Sequence, residues 1–136
     1  FSVVIPSFNR SHIIVKTIQS VLKQSFEDFE LIIVDDGSTD DTRGLVENYL
    51  FNKQIKYIYQ NNAGVCAARN NGARAAKGDY LIFLDSDDTV EVNWLFDFHK
   101  EIEDSNYDIV YCSIKIKYQD NTILYKDVEN PYQYIY

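Results

Sequence analysis

Short apolar runs rich in β-branched residues alternate along this chain with longer stretches of helical period. Ser2-Val3-Val4-Ile5 is a continuous apolar run and predicts a buried strand, stopped by Pro6, which has no N–H for a sheet ladder. From Ile13 to Leu22 the residues Ile13, Ile14, Ile18, Val21 and Leu22 share one helical face. Phe29 to Val34 reads as a second buried strand. Ser38 or Thr39 can cap the next helix, with Asp41 as a capping-box acid, and that helix runs to about Tyr49 with Leu45, Val46 and Tyr49 inward. Ile55 to Tyr59 is a third strand. Ala63 to Ala76 is a helix of small residues ended by Gly78. Asp79 to Leu84 is a fourth strand and Asn93 to about Asp104 a fourth helix.

Strands alternating with helices in this way predict βαβ units: an α/β fold whose mainly parallel sheet is covered by helices on both faces. Beyond Asp108 the pattern changes. Asp108 to Tyr118 reads as a long strand, Gln119-Asp120-Asn121 as a turn, and Thr122 to Tyr125 as the return strand of an antiparallel hairpin. Pro131 to Tyr136 has no clear period, and its tyrosines read as packing against something outside this sequence. At 136 residues the chain is one domain. Phe1 starts inside a strand-like run and Met is absent, so a piece of a longer protein is expected.

Composition narrows the picture. Hydrophobic residues at 46% and charged residues at 25% exclude wholesale disorder. Thirteen Lys and Arg against 21 Asp and Glu leave a net charge of -8, which disfavours nonspecific nucleic-acid binding and suits a protein that gathers a divalent cation. Cys66 and Cys112 have neither zinc-site nor disulfide-framework spacing, and are expected to be buried thiols in a reducing compartment. No apolar run approaches the ~18 residues of a membrane span, and no signal peptide opens the chain.

In an open parallel sheet, ligands bind at the carboxyl ends of the strands. There the chain places Pro6-Ser7-Phe8-Asn9-Arg10 after strand one, Asp35-Asp36-Gly37-Ser38 after strand two and Asp85-Ser86-Asp87-Asp88 after strand four. The carboxylates of Asp35, Asp36, Asp85, Asp87 and Asp88, gathered at what are expected to be two adjacent strand ends, would repel one another unless a cation or hydrogen-bond donors offset them. Each cluster alone could be a turn with a helix cap. Both following buried strands of one sheet favour a site. Two carboxylates spaced Asp-x-Asp on an extended segment can reach one hard cation, directly or through its water. Mg²⁺ and Mn²⁺ accept carboxylates and phosphates together, and such a metal stabilises charge on a departing phosphate.

With these segments the sequence resembles a family 2 glycosyltransferase of the GT-A (Rossmann-like) fold. The matching residues are Val3 to Asn9, Ile33 to Asp40, Asn62-Ala63-Gly64 with Ala68-Arg69-Asn70, and Gly78-Asp79-Tyr80 leading into Phe83 to Asp88. They come in the family's order over about residues 2 to 95. The resemblance implies a UDP-sugar donor, a Mn²⁺ or Mg²⁺ cofactor and inverting transfer to a glycan or lipid-linked acceptor. It also implies roles by position. Pro6 and Ser7 would lie against the nucleoside. Asp36 would accept the uracil N–H, since a carboxylate offers only acceptors there. Asp35 would be structural or on the ribose side, and Arg69 would lie near base or diphosphate. Asp87 would ligate the metal directly, Asp85 would touch the ribose or reach the metal through water, and Asp88 adjoins them as a further ligand candidate.

An inverting transferase needs a general base for the acceptor hydroxyl. The family's base lies well beyond its Asp-x-Asp, and none of Asp104, Asp108, Asp120, Asp127 or Glu129 has that setting, so the base is expected outside this chain. The chain is thus expected to be the N-terminal, donor-binding part of a longer transferase domain. Because the family often builds bacterial surface polysaccharides, a cytoplasmic location, with peripheral association at the inner membrane face, is implied by analogy. His12 and His99 are expected to be exposed and uninvolved, and Trp94 to serve packing. The alternative is a non-catalytic nucleotide-sugar-binding module. A receiver domain also ends a strand in Val-Asp-Asp, but here a strand–helix unit precedes the acid pair and no lysine stands near Ile135. A dinucleotide-binding domain lacks its Gly-x-Gly-x-x-Gly after strand one.

Overall fold

A computed structural model describes residues 1–104, 112, 114–117 and 123–126. The chain divides into two compact units, Phe1–Asp97 and Phe98–Tyr136. The first carries β1 (Ser2–Ser7), α1 (Ile14–Leu22), β2 (Glu30–Asp35), α2 (Thr42–Glu47), β3 (Ile55–Tyr59), α3 (Val65–Ala75), β4 (Leu81–Phe83) and the start of α4 (Trp94–Asp104). Its sheet is wholly parallel in the order β3-β2-β1-β4. The chain winds outward from β1 to β3, then α3 carries it back across the sheet to β4 on the other side of β1. That reversal opens a crevice beyond the carboxyl ends of β1 and β4.

The central strands β1 and β2 read as unbroken apolar runs because both of their faces are covered, whereas the expected burial of the fourth strand does not hold: Leu81 and Phe83 of β4, at the sheet edge, are exposed. Val3, Ile5, Leu31 and Ile33 pack with Ile14, Ile18 and Val21 of α1, Val46 of α2 and Leu95. Val4, Ile32 and Val34 point the opposite way, against Ala68 of α3. Gly72, one turn after Ala68, lets α3 lie close on the sheet, since a methyl there would collide with Val4. Trp94 is half-buried against the larger cluster, the packing role expected of it.

Several boundaries differ from expectation. Pro6 does not stop β1: it pairs with Val34, and the strand runs to Ser7. Ser2 N–H and the Val4 carbonyl bond toward the β4 side, while the Ser7 carbonyl bonds toward β2, so Pro6 turns its missing N–H toward β4. The β4 ladder stops at Phe83, opposite Val4, and no partner is lost. The acid-bearing strands β2 and β4 are not adjacent, because β1 lies between them. Helix α3 leaves helical geometry at Ala76 in an extended conformation, and Gly78 instead donates its N–H to Ser2 Oγ at 2.8 Å. Cys66 and Cys112 are exposed rather than buried. Cys66 stands two positions before Ala68, on the far side of α3 from its packed Ala68–Gly72 stripe.

In the second unit β5 (Ile114–Lys117) and β6 (Ile123–Lys126) pair antiparallel, Ile114 opposite Lys126 and Lys117 opposite Ile123. The expected turn at Gln119-Asp120-Asn121 and the tyrosine-rich end lie outside the described residues. Among the described residues no helix is long and apolar enough to cross a membrane.

Candidate functional site

The loops that follow β1 and β2 are stitched together by short polar side chains. Asn9 sits in the left-handed region at φ 53°, which asparagine tolerates better than most residues. Its Oδ1 accepts the Thr39 N–H at 2.8 Å, and its own N–H donates to Ser38 Oγ at 2.9 Å. Arg10 N–H donates to Thr42 Oγ1 at 3.0 Å and Ser11 N–H to Asp40 Oδ2 at 2.9 Å. The capping box expected from Ser38 and Asp41 does not form, because Ser38 is committed to Asn9 and α2 begins only at Thr42 with no side-chain cap from Asp41. Partial burial pushes the Asp40 carboxyl up, but hydrogen bonds from Thr42 and Ser11 outweigh this and hold it down at about 2.

The two acids ending β2 have different surroundings. Asp35 is buried, with Oδ1 accepting the Ser38 N–H at 2.8 Å and Oδ2 the Tyr57 hydroxyl at 2.6 Å. Burial, then the bond to Asp35 and its charge, raise the Tyr57 phenol above its ordinary value. Asp36, also buried, clasps the entry to α3: Oδ1 accepts Gln60 Nε2 at 2.7 Å and the Ala63 N–H at 2.8 Å, and Oδ2 accepts the Gly64 N–H at 2.8 Å. Gly64 takes φ 89° to begin the helix there. Asn71 of α3 donates to Gln60 Oε1 at 2.9 Å, closing a chain of bonds from β2 to α3.

These supports frame a cleft of about 550 Å³. Its base is Pro6, Ser7 and Phe8, one wall is Asn62 with the Gly64–Arg69 turn of α3, and the other is Asp85, Ser86 and Asp87, with Arg10 and Asp36 completing it. Thr17 of α1 anchors the acidic loop by donating its hydroxyl to the Ser86 carbonyl at 2.8 Å. Two guanidiniums face the two acids. Arg69 Nη2 lies 2.6 Å from Asp85 Oδ1, and Arg10 Nη2 lies 3.6 Å from Asp87 Oδ2. Ser7 Oγ and Arg69 Nε are buried and have no hydrogen-bond partner among the described residues. Loss of hydration, then the charges of Asp87 and Asp85, raise the Asp88 carboxyl above its ordinary value.

Of the residues expected in the site, Pro6, Ser7, Asp36, Arg69, Asp85 and Asp87 line this one cleft, while Asp35 and Asp88 do not. Arg10, which the sequence puts in the loop that leaves β1 without marking it for a role, lines the cleft as well. His12 is exposed and does not line the cleft, and His99 on α4 lies 3.5 Å from Glu103. Asp104 ends α4, whereas Asp108, Asp120, Asp127 and Glu129 lie outside the described residues. Among the described residues no three His, Cys, Asp or Glu side chains converge as a metal cage. Asp85 and Asp87 nevertheless fit Mg²⁺ or Mn²⁺: both are half-exposed oxygen donors on one cleft wall, and Mg²⁺ commonly uses one or two carboxylates together with substrate phosphates and water.

Residues 2–135 match the model of glycosyl transferase family 2. An uncharacterized glycosyltransferase of Rickettsia bellii is 41% identical over 106 residues, covering 78% of this chain and 15% of that protein. Glycosyltransferase GlyG of Streptococcus pneumoniae is 33% identical over 111 residues, covering 80% and 37%. Among solved structures, S. aureus TarS 1-349 in complex with UDP superposes with a TM-score of 0.73 at 33% identity, covering 76% of this chain and 32% of that one. Its complex with UDP-GlcNAc superposes with a TM-score of 0.71 at 35% identity, covering 76% and 31%. The chain thus spans well under half the length of each of these proteins. The parallel sheet, its reversal at β1 and the match over nearly the whole sequence agree: this chain has a GT-A-type α/β fold and belongs to glycosyl transferase family 2.

Proposed function

We propose that this chain is the donor-binding part of a metal-dependent, inverting glycosyltransferase that moves a sugar from a UDP-sugar to a hydroxyl of a glycan or lipid-linked acceptor. The observation that carries the reading is the cleft at the carboxyl ends of β1 and β4, where Asp85 and Asp87 stand opposite Arg69 and Arg10. That combination of hard oxygen donors and guanidinium forks suits a diphosphate and a hard cation, and similar solved structures are described in complex with UDP and UDP-GlcNAc.

The residues divide the work. Pro6 and Ser7, at the base of the cleft, lie against the nucleoside. Asp36 keeps acceptor capacity on Oδ2 beyond the Gly64 bond, which suits the uracil N–H. Arg69, freed from Asp85, lends two parallel donors to the diphosphate. Asp85 and Asp87 would hold Mn²⁺ or Mg²⁺, with Asp88 beside them. The cation, when bound, offsets charge on the departing UDP. Asp35, outside the cleft and held by Ser38 and Tyr57, braces the floor instead of touching the donor. The general base is assigned to chain outside these residues, since both exposed acids of the cleft serve the donor side. In this reading the enzyme works in the cytoplasm at the inner membrane face and contributes to bacterial surface polysaccharides.

Calorimetric titration of the intact protein with UDP, with Mn²⁺ and again with EDTA, tests the proposal. Binding that requires the metal is the expected result. A folded protein that ignores UDP in both conditions refutes it.

A further inference from the structure

Arg10 adds to the charge of the cleft but has been given no ligand contact of its own, and its side chain lines the same cleft as Arg69. Its backbone is held from both sides: the N–H donates to Thr42 Oγ1, and the carbonyl accepts the N–H groups of Ile13 and Ile14 at the start of α1. The guanidinium is thereby presented from a braced loop at the Asp87 end of the acidic wall. Its contact with Asp87, at 3.6 Å and with both side chains about half exposed, is loose. Arg69 and Asp85 form a tighter pair at 2.6 Å on the other side. Each acid of Asp-x-Asp thus has its own guanidinium partner, and the pairs neutralise one another. A cation that takes the carboxylates leaves two arginines without their paired carboxylates, in a cleft that also holds Ser7 Oγ and Arg69 Nε, both without a partner among the described residues.

We propose that Arg10 is a second diphosphate-binding residue, and that Arg10 exchanges Asp87 for a phosphate oxygen when a divalent cation takes that carboxylate. The inference rests on the reading of the cleft as a nucleoside diphosphate-sugar site. Metal alone must displace Arg10 from Asp87 with nothing to receive it, whereas metal with a diphosphate satisfies all four charged groups at once. Coupling of this kind is reciprocal: the factor by which Mn²⁺ tightens UDP equals that by which UDP tightens Mn²⁺. Arg10 contributes to that factor and has no role toward the nucleoside.

The test uses the intact protein, its Arg10→Gln variant and the charge-keeping Arg10→Lys variant. Free Mn²⁺ is read by electron paramagnetic resonance, UDP and uridine binding by calorimetry, and folding by far-ultraviolet circular dichroism. Losing a charge-assisted phosphate contact should weaken UDP in Mn²⁺ about ten- to hundredfold in Arg10→Gln, with Arg10→Lys intermediate. Losing a loose exposed ion pair should tighten Mn²⁺ alone about two- to fivefold, with uridine unchanged. Equal weakening of UDP and uridine would overturn the diphosphate role. Weaker UDP with unaltered Mn²⁺ affinity would overturn the exchange. Metal-dependent UDP binding that is the same in all three proteins would sink the Arg10 inference and leave the donor site standing. No UDP binding by the unaltered protein would remove both.

Discussion

Asp36 Oδ2 accepts the backbone N–H of Gly64 at 2.8 Å, so the first acid after β2 fixes the point at which α3 begins. Its other oxygen holds Ala63 and Gln60, and the carboxylate is almost fully buried. The wall of the cleft therefore takes its shape from an acid that sequence reasoning assigned to the nucleotide alone.

Asp36→Asn replaces one acceptor by a donor and sets an NH₂ against at least one backbone N–H. The expected outcome is a loss of about 1–3 kcal/mol in stability by urea unfolding, together with weaker UDP binding and unaltered Mn²⁺ binding. Unchanged stability would show that the clasp is not made.

Asp87→Ala should behave in the opposite way. Asp87 is half exposed and among the described residues makes only the loose Arg10 ion pair, so its removal should shift stability by no more than about 0.5 kcal/mol. Metal-dependent UDP binding should disappear. Equal affinity with and without metal, matching the unaltered protein, would take Asp87 out of the site.

Tyr57→Phe leaves Asp35 Oδ2 without its 2.6 Å partner and should cost about 1–2 kcal/mol at neutral pH. The Tyr57 phenol is held above its ordinary 10.0, so the folded state keeps a proton that the unfolded chain releases. Stability from this group is complete below pH 10 and declines above it. Unfolding curves across alkaline pH should show that decline flattened in the variant.

Asp40 titrates in the opposite sense. Held at about 2 against an ordinary 3.8, it adds stability above pH 3.8 that is lost as pH falls toward 2. Asp40→Asn should lessen the dependence of thermal stability on pH in that window. An identical slope in both proteins would contradict the Thr42 and Ser11 bonds.

Gly72→Val drives a branched side chain from α3 into Val4 and should destabilise by about 1–3 kcal/mol or prevent folding. A stability equal to that of the unaltered protein would mean that α3 does not rest on β1 this closely.

The sequence by itself determined the order of strands and helices, the parallel sheet and the carboxyl-end location of the acids. These features follow from local periodicity and from burial on both sheet faces, which writes Val3–Ile5 and Leu31–Val34 as unbroken apolar runs. The family was legible in the same segments, because Pro6 to Asn9, Asp35 to Asp40 and Asp85 to Asp88 each lie at or just beyond the carboxyl end of a strand. Only the tertiary structure decided which polar groups meet. That Pro6 loses no partner depends on where β4 ends, that Ser38 serves Asn9 instead of capping α2 depends on two loops touching, and that Cys66 is exposed depends on which stripe of α3 faces the sheet. Asp35 and Asp36 are neighbours of identical chemistry, yet one braces Tyr57 and the other shapes the cleft. Adjacent residues on an extended strand point to opposite faces, and what waits on each face is set by chain remote in sequence.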